Sequence, residues 1–112
     1  MNKKWTIEYC IDTTIGKSVT NWFDQLTDEQ FKSVAKELKL LEICGNQLRL
    51  PHSRPLGAGL FELRERRYGY RIYYGFCKLH IIVLLVIGDK KTQKQDIKIA
   101  RQRLAQLQKC KG

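Results

Sequence analysis

The fold is decided by LFELRERRYGYRIYYGFCKLHIIVLLVI, residues 60–87. From Leu60 to Arg66 the chain alternates. Phe61 and Leu63 fall on one face, and Glu62, Arg64 and Arg66 on the other. Arg67 to Gly69 can turn. Tyr70, Ile72, Tyr74 and Phe76 then alternate with Arg71, Tyr73 and Gly75, and Cys77-Lys78 allows a second turn. Leu79 to Ile87 is apolar on both parities apart from His80, the pattern of a central strand covered on two sides. Three strands joined by tight turns make an antiparallel meander. The parity also gathers Arg64, Arg66, Arg71 and Tyr73 on one face. Like charges on adjacent strands repel unless something anionic lies between them.

Before the meander, Trp5 to Ile11 alternates as a short strand and Gly16 breaks it. Val19, Trp22, Phe23 and Leu26 have the i, i+3, i+4, i+7 spacing of a helix face. Thr27-Asp28-Glu29-Gln30 fits a capping box, with acids at the positive end of the dipole. Phe31, Val34, Ala35, Leu38 and Leu41 continue that second helix, and Gly45-Asn46 is its stop. RLPHSRPLGAG, residues 49–59, holds both prolines and reads as a loop. After the meander comes GDKKTQKQ, a basic loop. A helix from Asp96 to Leu107 follows, with Ile97, Ala100, Leu104 and Leu107 on one stripe and Lys98, Arg101 and Arg103 elsewhere. The expected fold is α+β, in the order β-α-α-β-β-β-α. It is a mainly antiparallel four-stranded sheet with an N-terminal helical hairpin on one face, in a single domain spanning residues 1–112. The arginines would then line the open face.

The charge of +10 over 112 residues is unevenly spread. Residues 1–48 hold six Lys/Arg against seven acids, and residues 49–112 fifteen against four. A positive field confined to structured, aromatic-rich segments favours a polyanionic partner over mere solubility. Cys10, Cys44, Cys77 and Cys110 form no CxxC pair, so reduced thiols are expected rather than a zinc site. Their near-even spacing lies in unlike contexts and is no repeat. The longest apolar run, Ile81 to Ile87, is too short for a bilayer, and the polar Glu8 and Asp12 do not suit a signal peptide. The expected location is the cytoplasm.

LGAGLFELRER, then GYRIYYGF, an apolar strand, GDKKTQKQ and a helix with IARQRL resemble, in that order, the RelE/ParE superfamily of bacterial toxins, in its HigB-like, phage-derived branch. The specific part is residues 56–104. The resemblance implies a type II toxin that cleaves messenger RNA without a metal or cofactor, in this family often on the ribosome. It also implies a cognate antitoxin, expected to be a small helix-turn-helix protein. Arg71 matches the arginine that grips the scissile phosphate, Arg64 a basic residue of the preceding strand, and Lys90 and Lys91 the basic pair after the last strand. RNA contacts are expected from Arg66, Arg67, Tyr73, Lys94 and His52. Some relatives place an aromatic general acid near the final helix, whereas no Tyr or His lies between Gly88 and Gly112 here. His52 is the alternative proton donor.

Each residue also has a plainer reading. Arg64 and Arg66 can solvate a sheet face, Lys90 and Lys91 a loop, and His52 can be an ordinary loop residue. The superfamily fold also serves gyrase poisons that cut no RNA, and a non-catalytic basic binding protein fits the missing acid.

Overall fold

The computed structural model describes residues 5–10 and 18–111, with side chains as far as Leu107. The element order is β1 (Thr6–Tyr9), α1 (Val19–Asp24), α2 (Asp28–Cys44), β2 (Ser53–Gly57), β3 (Leu60–Glu65), β4 (Tyr70–Cys77), β5 (Ile81–Asp89) and α3 (Gln93–Lys111). The expected break at Gly16 and the Cys110 thiol lie outside the described residues. No described helix is long and apolar enough to cross a membrane.

The capping box closes as the sequence predicts. The Gln30 amide donates to the Thr27 hydroxyl at 3.2 Å, and the Gln30 side chain accepts from the Thr27 amide at 2.9 Å. Gly45, at φ +52°, ends α2. The described sheet has five strands, in the order β1-β5-β4-β3-β2. The extra strand corrects the expected count of four: β2 lies inside the presumed loop and pairs antiparallel with β3. Pro55 argued against a strand there. An outermost strand tolerates a proline, because one of its edges has no ladder partner to receive an N–H. β5 is central, parallel to β1 and antiparallel to β4.

A register shift lies in the β4–β5 ladder: Tyr73 pairs with Val86 but Tyr74 with Leu84, so Leu85 is an extra residue. The parity of β5 flips there. Ile82, Leu84 and Ile87 face one core, while Val83, Leu85 and Val86 face another. The first core lies under α1 and α2, with Val19, Val34, Leu41, Leu63, Ile72 and Tyr74. The second lies under α3, with Leu60, Tyr73, Ile99, Ala100 and Leu104. The sheet therefore has no open face over β4 and β5. Arg103, off the apolar stripe, is nonetheless buried, and its Nη1 donates to the Leu85 carbonyl at the bulge, 2.8 Å away. Lys94 stands on the first turn of α3 rather than in a loop.

Candidate active site

The β3–β4 register sets Glu62 opposite Tyr73 and Arg64 opposite Arg71, and parity turns all four toward the α3 side. Glu62 is fully buried. Its Oε1 accepts from Arg54 Nε at 2.9 Å and Arg71 Nη1 at 3.2 Å, and its Oε2 from Gln93 Nε2 at 2.8 Å. Strands β2, β3 and β4 and the start of α3 thus converge on one carboxylate. Burial alone would raise its pKa. The bonds from Gln93 and Arg54, with the charges of Arg54 and Arg71, outweigh burial and hold it below the usual carboxylate value.

The facing guanidiniums of Arg64 and Arg71 are the like-charge pair the sequence anticipates, and Glu62 offsets one of them. Arg71 is mostly buried, with 14% of its side chain exposed. The Nε groups of Arg71 and Arg64 are buried with no hydrogen-bond partner. Arg64, Arg66, Arg71 and Tyr70 line a small pocket of about 140 Å³. A buried guanidinium N–H without an acceptor is costly.

Two other carboxylates shape this end of the sheet. Glu65 is buried under the β3–β4 turn and accepts from the amides of Arg67 and Tyr68, both at 3.0 Å, and from the Ser33 hydroxyl. It fixes the turn that carries Arg66 and Arg67. Asp96 is buried at the start of α3 and accepts from the Thr92 hydroxyl. It packs on the backbone of Gly88, the register partner of Arg71: a Cβ there would lie 2.0 Å from Asp96 Oδ2 and 2.7 Å from Thr92 Oγ1. The sequence analysis did not single out Glu62 or Glu65. Glu65 carried a signal, since it shares the buried parity of Phe61 and Leu63, where a carboxylate needs several donors; Glu62 lay on the face expected to be open.

The other expected residues divide. Lys90 and Lys91 are exposed on a 3₁₀ turn directly after β5, capped by Asp89, whose Oδ1 accepts from the Lys91 amide at 2.9 Å. That turn follows Gly88, so both lysines start from the same end of the sheet as Arg71. Arg66 and Arg67 are exposed, and the Arg67 guanidinium lies 5.1 Å over the Tyr68 ring. Tyr73 corrects the expectation of a base-stacking ring. It is fully buried beneath α3, where burial, then the nearby Glu62 and Asp96 carboxylates, push its phenol well above 10.0. Tyr68 and Tyr70, stacked with centroids 5.7 Å apart and both part-exposed, are the rings beside the arginines. His52 is not in the pocket: its Nδ1 meets Glu37 Oε1 of α2 at 3.1 Å.

The fold has known counterparts. The family model described as phage derived protein Gp49-like (DUF891) matches residues 21–105. No curated protein sequence matches the chain. Among solved structures, the E. coli toxin RelE in the free state, as a double arginine-to-alanine mutant, superposes with a TM-score of 0.59 at 10% identity. That match covers 85% of this chain and 96% of RelE. The isolated E. coli RelE toxin gives a TM-score of 0.55 at 13% identity, over 84% of this chain and 96% of that one. At such identities the superposition speaks for the fold, and the family match for descent. The chain therefore belongs to the phage-derived Gp49-like family, and its fold is the one seen in RelE.

Proposed function

We propose that this chain is the toxin of a type II toxin–antitoxin pair and a metal-independent endoribonuclease that halts translation by cutting messenger RNA. One observation carries the reading: Arg64 and Arg71 face each other across β3 and β4 beside a pocket, each with a buried Nε lacking an acceptor. A phosphate takes two parallel N–H bonds from a guanidinium, and the bonds strengthen as charge builds in the transition state. In the reaction, a ribose 2′-oxygen forms a bond to the adjacent phosphorus and the P–O5′ bond breaks. The 2′-hydroxyl proton passes to solvent, and a proton reaches the departing 5′-oxygen. The products are a 2′,3′-cyclic phosphate and a 5′-hydroxyl. Arg71 and Arg64 hold the non-bridging oxygens. Lys90 and Lys91 neutralise the leaving side and supply its proton. Arg66, Arg67 and Lys94 hold flanking phosphates. An acidic-faced antitoxin, a small helix-turn-helix protein, would cover this basic end in the cytoplasm until the toxin is released.

The test is cleavage of a message by purified protein with chelator present, scored by end-group analysis. Arg71→Ala should slow cutting by about a hundredfold, the scale of losing one such donor. Arg71→Lys should recover part, since an ammonium cannot make the planar two-point contact. A folded Arg71→Ala protein cutting at the parent's rate would remove the arginine pair from the site.

A further inference from the structure

A second, larger depression of about 390 Å³ lies between α2 and the β3–β4 turn. Lys32 and Lys36 of α2 form one wall and Arg66 and Arg67 the other, with Ser33, Glu29, Glu37 and Glu65 also lining it. Lys32 and Lys36 are one helical turn apart on the same face, where like charges repel by a few tenths of a kcal/mol. Among the described residues neither lysine, nor Arg66, makes an ion pair. Two of these three acids are already engaged. Glu65 is taken by backbone amides and Ser33, and Glu37 by His52; exposed Glu29 lies 3.8 Å from Arg67. Glu65 and Arg66 line both this groove and the Arg64–Arg71 pocket, so the two adjoin at the β3–β4 turn. The Tyr68–Tyr70 stack lies beside that junction, with Arg67 over Tyr68. Cations interleaved with part-exposed rings along a groove are the chemistry of single-strand RNA binding, with phosphates on the cations and bases on the rings.

We propose that the α2 groove is the exit track of the substrate: single-stranded RNA leaving the Arg64–Arg71 pocket crosses the β3–β4 turn, stacks on Tyr68 and sets its next phosphates on Lys32 and Lys36. This rests on the ribonuclease reading for the position of the scissile phosphate, and it gives the helical hairpin a role in binding. A disordered acidic protein segment is the competing occupant. The rings beside the cations favour nucleic acid.

The experiment titrates the protein with an uncleavable 2′-O-methyl RNA strand of about a dozen nucleotides, within the range such grooves cover. Each phosphate contact adds about 0.7 to the slope of log affinity against log salt for a single strand. Lys32→Gln with Lys36→Gln should therefore lower the slope by about 1.4. Lys39→Gln, on α2 but outside the groove, should leave it within error. Tyr68→Ala should weaken binding about tenfold with the slope intact, the low end for one lost stacking contact. An unchanged slope in the double variant would overturn the proposal. So would intact RNA binding combined with a weakened antitoxin complex, which would make the groove a protein site. Because the probe cannot be cut, a chain that binds it on these lysines but cleaves no message would overturn the ribonuclease reading and leave the track standing.

Discussion

Replacing Glu62 by Gln keeps the shape and removes the charge on which Arg54, Arg71 and Gln93 converge. The new amide also points N–H donors at donors. Breaking a buried ion pair by removing one partner costs about 3–5 kcal/mol. Arg54 has 44% of its side chain exposed, so water screens its share. Arg71 is the partner left stranded. That places the loss at the low end, about 3 kcal/mol. At this chain length roughly 4 °C per kcal/mol is expected, so the melting temperature should fall by about 12 °C. Thermal unfolding followed by circular dichroism measures it. The folded-state pKa of Glu62 is depressed, so its contribution is present above the ordinary carboxylate value of 4.5 and is lost as pH falls through the folded value. The gap between parent and variant should be full near neutrality and close below that value. Glu62→Met combined with Arg71→Met should be less damaging than Glu62→Met alone, because no buried charge is stranded. A Glu62→Gln protein melting within about 2 °C of the parent would refute the convergence of three donors on this carboxylate.

Tyr73→Phe should change stability by less than about 1 kcal/mol, since the buried hydroxyl makes no well-formed hydrogen bond and meets the Glu62 carboxylate only weakly; chemical denaturation would show it. Tyr74→Phe should cost about 1 kcal/mol by stranding the buried Ser53 hydroxyl in the same assay. Gly88→Ala should cost 2 kcal/mol or more, roughly the scale of overpacking, and displace α3 from Arg71, because a Cβ meets Asp96 Oδ2 at 2.0 Å. Arg71→Ala carries a stability loss as well, so its cleavage assay needs a melting curve beside it; an arginine on an open sheet face would not have required one.

Much of the fold was legible because its local patterns agree with its packing. Thr27 to Gln30 announced the start of α2, and the parity of Phe61, Leu63, Ile72 and Tyr74 announced the core beneath the helices. β2 was hidden because its strand character comes from pairing with β3, not from its own composition, which includes Pro55 and Gly57. The burial of Tyr73 was hidden for a different reason. Alternation gives its parity but not what covers that face, although the apolar stripe Ile97, Ala100, Leu104 and Leu107 needs a partner and only the second sheet face is available. The bulge at Leu85 left no trace in an unbroken apolar run. The Arg64–Arg71 pairing was readable from alternation and turn length. The engagement of Arg71 by Glu62 was not, because it needs the burial that α3 creates.

The account's central claim is that the arginine pair serves RNA cleavage rather than the gyrase poisoning known from the same fold. The most direct measurement is to induce this chain alone in growing bacteria and follow radiolabelled amino acid and thymidine uptake together with message length. Protein synthesis should stop first, with messages shortened and ending in cyclic phosphates, and Arg71→Ala should slow the cutting by about a hundredfold. Stalled thymidine uptake with full-length messages would contradict that claim.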